Sequence, residues 1–370
     1  MVLHIDTGSA WQLQWRPLAY RDLEQPPPSN EILGVLAAAC MNGKLCFFQV
    51  PHPNELRHVK KSKSAAPLQI ALKPILSLDL FETVPHCLDW AFPERILVGC
   101  SNGYAAVWDL EELLSGNGQQ QAPLHYFRTQ ETAITGVRWH MHPNTDARGR
   151  PAWNEMPNLF TSCSLMGSIA LTDLTDPYHQ ADIRFGGVPA YDLAFSTHAN
   201  AAIIEGNLYG VDLFFFTNPH FGRKARVAEH RAPTLAIATS DYHPLLATGS
   251  ADGSVRMVNI WRNLSKRGAK ASVQLFRLTC GTESSELRVL DYFLPDILVG
   301  KKRLCYAGAH ALTASNPHRI PGTSFDWPPE VAITDVAWSR HINRGYLLAS
   351  VSASGLGRIQ WVGEAPHKER

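Results

Sequence analysis

One short pattern recurs along this chain and constrains its fold more than any other feature. An alternating apolar stretch ends, usually on an aromatic residue, and a turn follows. It reads Trp11-Gln-Leu-Gln-Trp15-Arg-Pro17, His86-Cys-Leu-Asp-Trp90-Ala-Phe-Pro93 and Ile134-Thr-Gly-Val-Arg-Trp139-His140. It returns as Ala190-Tyr-Asp-Leu-Ala-Phe195-Ser196, Leu235-Ala-Ile-Ala-Thr239-Ser240 and Ile333-Thr-Asp-Val-Ala-Trp338-Ser339. Alternation with period two marks strands with one buried face. Each copy is followed by a second apolar strand, a glycine turn and a third strand. The turns are Asn42-Gly43, Asn102-Gly103, Met166-Gly167, Asp252-Gly253 and Ser354-Gly355. Asn-Gly and Asp-Gly supply the positive φ values that a two-residue hairpin requires. The fourth copy departs from this, with Glu205-Gly-Asn-Leu-Tyr-Gly210 in place of a tight pair.

The strand-end positions 15, 90, 139, 195, 239 and 338 are separated by 75, 49, 56, 44 and 99 residues. The shorter steps fit the roughly 40–45 residues of a four-stranded propeller blade. The first step holds the proline-rich stretch Gln25-Pro-Pro-Pro-Ser29 and a basic stretch at 57–63, which account for its length. The last has room for a second, degenerate blade between about 280 and 330. The clearest single copy is Glu229-His230-Arg-Ala-Pro233, followed by Leu246-Ala-Thr-Gly-Ser250-Ala-Asp252-Gly253-Ser-Val-Arg-Met-Val-Asn259. It resembles a WD40 repeat, and the dipeptide that names the repeat survives at Trp108-Asp109. The expectation is an all-β, WD40-like β-propeller of seven blades, with six blades and insertions as the alternative. Trp15, Trp90, Trp108, Asp109, Trp139, Phe195, His230, Asp252 and Trp338 are its structural repeat residues. It occupies residues 1–365 as a single domain, with a short polar tail at 366–370. The strand around Val2 to Ile5 is expected to complete the last blade beside Arg358 to Val362, removing an open sheet edge.

Composition narrows the functional classes. The 34 Lys+Arg against 33 Asp+Glu give a net charge of +1, so no global field drives binding to nucleic acid or acidic lipid. A hydrophobic fraction of 45% with 18% charged residues excludes a disordered chain. The longest uncharged apolar run, Ile32 to Cys40, is far short of the about 20 residues of a spanning helix. The first residues have no basic region followed by an apolar core, so they do not read as a signal peptide. Seven scattered cysteines without any C-x-x-C pair read as small buried hydrophobes in a reducing compartment.

Enzyme motifs fail individually. Asp6-Thr7-Gly8-Ser9 resembles the catalytic turn of aspartic proteases, but that chemistry needs a second such turn and none exists. It reads as a turn feeding the first blade. His230, Ser250 and Asp252 mimic a hydrolase triad in composition, yet these positions of a WD40 blade brace its turns. His140-Met-His142 places two imidazoles on an extended chain with no third ligand cluster, and a loop after Trp139 is a normal place for exposed histidines. No phosphate-binding glycine loop is present. No catalytic residue, cofactor, metal or small-molecule substrate is expected.

Basic residues are more informative. Arg57, Lys60, Lys61 and Lys63, then Arg223, Lys224 and Arg226, then Arg262, Lys266, Arg267 and Lys270 form clusters that no acid interrupts. Lys301, Lys302 and Arg303 make a fourth. The first three clusters each follow a third strand and precede a fourth, the same connection in different blades, so a neutral propeller can carry a basic rim on one side. Loop lysines with no ligand are the competing reading. Phe325 and Trp327, in a proline-bounded stretch, are candidate anchors for a protein partner.

Beyond the repeat itself, Ala10-Trp-Gln-Leu-Gln-Trp-Arg-Pro17, Cys87-Leu-Asp-Trp90, Val98-Gly-Cys-Ser-Asn-Gly103 with Val107-Trp-Asp109, and Trp327-Pro-Pro-Glu-Val-Ala-Ile-Thr334 resemble the propeller of one WD40 subunit of general transcription factor IIIC, the subunit-six type. The resemblance runs over nearly the whole chain. It implies a non-catalytic nuclear scaffold that pairs with a second propeller subunit. Together they belong to the module that recognises the B-box promoter of RNA polymerase III genes, with promoter DNA met directly or through the complex. It also implies an N-terminal extension with basic DNA-binding segments, whereas this sequence enters its first blade almost at once. The competing class is a chromatin or ubiquitin-ligase adaptor that reads a peptide at the central channel. An aromatic cage there would distinguish it.

Overall fold

The computed structural model describes residues 2–17, 32–52, 69–80, 82–114, 122–141, 144–145, 151–152, 156–184, 189–205, 209–216, 223–260, 273–280, 287–291, 331–339 and 346–362. They fall into two compact units, Met1–Ala190 and Tyr191–Arg370. The fold is an all-β, WD40-like propeller. Six blades are present among the described residues, three in each unit.

In the first unit, β1 (Val2–Ile5), β2 (Ala10–Trp15), β3 (Ile32–Cys40), β4 (Lys44–Pro51), β5 (Gln69–Leu72) and β6 (Pro74–Asp79) make blade 1, with sheet order β2-β3-β4-β6. Blade 2 holds β7 (Pro85–Ala91), β8 (Arg95–Cys100), β9 (Tyr104–Asp109), the short helix α1 (Glu111–Leu114) and β10 (His125–Arg128). Blade 3 holds β11 (Ile134–Trp139), a small hairpin of β12 (Asn144–Thr145) and β13 (Pro151–Ala152), then β14 (Leu159–Ser164), β15 (Ser168–Asp173) and β16 (Ala181–Arg184). In the second unit, β17 (Leu193–Ser196), β18 (Ala201–Glu205), β19 (Gly210–Phe215) and β20 (Lys224–Glu229) form blade 4. Blade 5 is β21 (Thr234–Thr239), β22 (Leu245–Ser250), β23 (Ser254–Asn259), β24 (Val273–Cys280) and β25 (Leu287–Asp291). Blade 6 is β26 (Ile333–Trp338), β27 (Leu347–Ser352) and β28 (Gly357–Trp361).

All six strands marked by the repeat are first strands of blades. The five glycine turns join second strands to third, and Gly43, Gly103, Gly167, Gly253 and Gly355 all take φ between 75° and 85°. Only glycine adopts that region without a Cβ penalty. In the fourth blade residues 206–208 lie outside the described set, and Tyr209 at their end has φ 58°.

Two expectations need comment. Val2–Ile5 does not pair with the last blade. Instead β1 runs parallel to β5, with Val2 opposite Gln69 and Ile5 opposite Leu72. The cause is apolar burial close at hand: Ile5, Ile70 and Leu72 pack on Leu36, Cys40, Cys46 and Phe48 of blade 1. That burial drives the pairing more than edge protection does. The stretch expected to hold a seventh blade, about 280 to 330, is described beyond Cys280 only at β25, which extends blade 5 as a fifth strand. The remainder lies outside the described residues, as does the tail at 366–370.

Between neighbouring blades the sheets meet face to face through apolar rows. Ala37, Ala39 and Phe47 of blade 1 meet Leu88, Trp90 and Trp108 of blade 2. Leu97 and Val107 of blade 2 meet Ile134, Trp139 and Phe160 of blade 3. In the second unit Ala201, Ile203 and Val211 meet Ile237 and Leu246, while Ala247 and Met257 meet Ile333, Val336 and Trp338. Each large side chain so buried stabilises its seam by about 1.5–3 kcal/mol.

Candidate functional site

The first strand of each blade has a partner on one side only, so its other edge leaves backbone N–H groups to be satisfied. In the first unit β2 lies beside β7 and β7 beside β11; in the second, β17, β21 and β26 follow one another in the same way. Polar side chains of one blade serve the exposed amides of the next. Gln12 Oε1 accepts from Leu88 N at 2.6 Å, Asp89 Oδ2 from Trp139 N at 2.9 Å, and Asp192 Oδ2 from Ile237 N at 2.8 Å. Gln14 Nε2 donates to the other oxygen of Asp89 at 3.2 Å. Indoles add a second link: Trp139 Nε1 donates to Asp89 O and Trp338 Nε1 to Ala238 O, each at 3.2 Å. Blade 5 has Thr239 at the aromatic position, and its hydroxyl donates to Phe195 O at 2.7 Å instead. The repeat pattern assigns these carboxylates and amides no role, although each stands in sequence as a polar residue within a largely apolar first strand or at its start.

A second regularity lies at the start of these strands. The pairing of first with second strand slips at the second residue in five blades, leaving Trp11, His86, Thr135, Leu235 and Thr334 as bulges. A bulge re-aims one side chain and bends its strand locally. Trp11 is 55% exposed, and its ring lies 4.8 Å from that of His86. Burial lowers the His86 pKa, against a hydrogen bond to Ile134 that works to raise it, so the ring is neutral at pH 7.

The repeat residues of blade 5 brace its turns. His230 Nε2 reaches Thr248 Oγ1 at 2.8 Å and Nδ1 reaches Ser254 Oγ at 3.2 Å. Asp252 accepts from Arg231 N at 3.0 Å, Ser254 N at 2.9 Å and Ser254 Oγ at 2.5 Å. Ser250 Oγ donates to Ala232 O and Pro233 O. Burial works to raise the Asp252 pKa, but the bonds and charge of His230, with Ser254 and Arg231 N, outweigh it and hold the carboxyl well below its usual range. All these oxygens and nitrogens are engaged with each other, so the group has no free nucleophile.

The other marked residues vary. Trp90, Trp108, Trp139, Phe195 and Trp338 are buried, whereas Trp15 is 43% exposed on the same face of β2 as Trp11 and Leu13. Asp109 is exposed and 3.9 Å from Arg95. His140 corrects the expectation of an exposed histidine: it is buried, and its Nε2 bonds Thr161 Oγ1. His142 is outside the described residues. Among those residues no three His, Cys, Asp or Glu side chains converge as a metal site, and no helix is long and apolar enough to cross a membrane.

Of the basic residues, Arg223 and Lys224 are exposed where the chain enters β20. Arg226 lies within β20 and pairs with buried Asp212 at 3.0 Å and Glu229 at 3.6 Å, so it serves its own blade. Arg57, Lys60, Lys61, Lys63, Arg262, Lys266, Arg267 and Lys270 lie outside the described residues, as do Lys301, Lys302, Arg303, Phe325 and Trp327. The flanking strands place the 57–63 and 262–270 segments between third and fourth strands of blades 1 and 5.

The WD domain, G-beta repeat family matches residues 223–259, the segment that contains the His230–Asp252 group. Transcription factor tau subunit sfc6 of Schizosaccharomyces pombe is 25% identical over 376 residues, covering 97% of this chain and 53% of that protein. The chain is a WD40-repeat propeller similar to transcription factor IIIC subunits. General transcription factor 3C polypeptide 2 of Homo sapiens is 27% identical over 163 residues, 36% of this chain and 17% of that protein. The chain therefore spans about half the length of its fission-yeast relative, and less of the human one.

Proposed function

We propose that this chain is a non-catalytic nuclear scaffold subunit of transcription factor IIIC. In this reading it forms one propeller over residues 1–365 and assembles with a second propeller subunit in the module that recognises the B-box promoter. The observation that carries the reading is the similarity to a transcription factor tau subunit along 97% of the chain. The polar groups support it, since those of blade 5 and of the inner strand edges are consumed in bracing the fold. Phe325 and Trp327 are proposed as partner anchors. Arg57, Lys60, Lys61, Lys63, Arg223, Lys224, Arg262, Lys266, Arg267 and Lys270 are proposed to lie along a phosphate backbone, positioning a duplex without reading its bases. Arg226, being paired, contributes least.

Purification of the endogenous protein with its partners tests the scaffold role, and recovery of no other transcription factor IIIC subunit overturns it. Binding of the recovered assembly to B-box DNA across a salt series then tests the phosphate contacts. Each cation in contact contributes about 0.9 to the slope of log affinity against log salt. Replacement of Lys60, Lys61 and Lys63 together, or of Lys266, Arg267 and Lys270, lowers that slope; an unchanged slope in both leaves a purely architectural subunit.

One observation favours a peptide-reading adaptor as a second function. Exposed Trp11 and half-buried His86 form an aromatic pair at equivalent bulges of blades 1 and 2. Under that reading Trp11→Ala abolishes peptide capture while the assembly with other subunits stays intact.

A further inference from the structure

Registers align the blades position by position, and one position is informative. The second-strand residue just before the turn region meets the start of the next blade's first strand. In blade 2 it is Gly99, where a Cβ would lie 2.5 Å from Ile134 Cγ2 and 2.6 Å from Cys87 Sγ. In blade 5 it is Gly249, where a Cβ would lie 2.6 Å from Ile333 Cγ2. The same register position in blade 1 is Ala39, and in blade 3 Cys163. In blades 2 and 5 the seam is thus closed by a glycine against an isoleucine of the next blade. In blade 4 the position is Glu205, and the facing residue on blade 5 is Thr234.

Glu205 ends the row Ala201, Ile203, Glu205, whose first two members bury themselves against Ile237 and Leu246. It is only 4% exposed. Its Oε1 accepts from Thr234 N at 3.0 Å, and its Oε2 is buried with no partner among the described residues. Thr234 Oγ1 is buried without a partner as well. A carboxylate in this setting leaves half its charge uncompensated, which is costly in an apolar seam. A protonated carboxyl keeps the bond from Thr234 N and removes the uncompensated charge.

We propose that Glu205 makes the seam between blades 4 and 5 proton-sensitive: with a proton the carboxyl closes the seam, and without it the seam loosens. Among the described residues no counter-ion faces Glu205. Asp192, just before β17, has its oxygens taken by Leu193 N and Ile237 N. Asp212 on β19 follows Val211, the residue opposite Glu205, so it points to the other face, where Arg226 holds it. β21 and β22 carry no titratable side chain. On the approach to β21, His230 is bonded to Thr248 and Ser254, while Asp252 holds Arg231 N. Arg256 on β23 is half-buried, with its pKa lowered by burial against the charges of Asp252 and Glu229, and Glu229 on β20 pairs with Arg226.

Burial accordingly raises the Glu205 pKa to about 7, with the bond from Thr234 N pulling the other way. A folded value above the unfolded one means that stability is full in acid, where both states are protonated. It is lost as the pH rises from about 4.5 to about 7, and stays low above that.

The test compares thermal unfolding of the full chain with that of Glu205→Gln, which is neutral at every pH. The melting temperatures should coincide near pH 5, and the variant should lead by about 4 °C or more at pH 8. Parallel pH profiles overturn the proposal. Should the variant fail to fold, carbon-13 titration of the glutamate carboxyls in the parent chain decides alone. One carboxyl with a midpoint near 7 is expected, and a full set titrating below about 5.5 overturns it.

Discussion

In blade 5 the residue four places before the first strand is His230, and in blade 3 it is Gln130. Both span the same two hydroxyl positions. His230 reaches Thr248 and Ser254, while Gln130 Nε2 reaches Ser162 Oγ at 3.0 Å and Gln130 Oε1 accepts from Ser168 Oγ. The turns then diverge. Asp252 gathers three donors in blade 5, whereas the same place in blade 3 holds Met166, exposed to solvent, and Ser164 bonds Ser168 at 2.7 Å instead. The propeller therefore requires a bridge between the entry loop and the second and third strands, but not a particular chemistry for it. The charged version is cooperative, because each partner orients the next. The neutral version is local. The WD domain, G-beta repeat match runs from β20 through the first three strands of blade 5 and does not extend to blade 3.

Removing the acid is the strongest way to break this comparison. Asp252→Ala strands three buried donors and should cost about 3 kcal/mol by denaturant unfolding, while Met166→Ala should stay within about 0.5 kcal/mol. Equal losses would mean that the two turns are energetically alike. The same carboxylate predicts acid sensitivity. Its folded pKa lies below the unfolded one, so its contribution is full above the ordinary carboxylate value of 3.8 and is lost as the pH falls below it.

His230 comes next. His230→Ala should cost about 2 kcal/mol, and His230→Gln about 1 kcal/mol, since blade 3 already uses an amide for the same span. If Gln is no better than Ala, the two bridges are not interchangeable. The smallest effect is expected in blade 3. Gln130→Ala leaves Ser162 and Ser168 to bond each other or their neighbours, at about 1 kcal/mol. A loss as large as that of Asp252→Ala would show that the neutral bridge is as cooperative as the charged one.

Much of this architecture was readable before any coordinates. Alternation located the six first strands, and Gly43, Gly103, Gly167, Gly253 and Gly355 located the turns, because both signals are local to a few residues. His230 and Asp252 were legible for the same reason. The pairing of β1 with β5 was not, since Val2–Ile5 reads as a strand whatever it pairs with, and an apolar patch on blade 1 decided the partner. Nor could local pattern assign Asp89, Asp192 and Gln12 to amides of another blade, which depends on stacking of sheets. Glu205 looks like an ordinary turn-proximal acid until register aligns it with the positions of Gly99 and Gly249 in their own blades.

The bulge that opens five of the first strands separates two kinds of mutational freedom. Residues on either side of it are locked into ladders and seams, where a change in volume is felt by the neighbouring blade. The bulged residue stands outside the first-to-second-strand register, even where its side chain still bonds a neighbour, as His86 does Ile134 and Thr135 Oγ1 does Ala190 O. The chemical variety at that one place, with indole, imidazole, hydroxyl and aliphatic side chains in Trp11, His86, Thr135, Leu235 and Thr334, is what that freedom from the register permits. Within each unit these positions form a row that can be rewritten, by drift or by an engineer, while the scaffold beneath keeps its register.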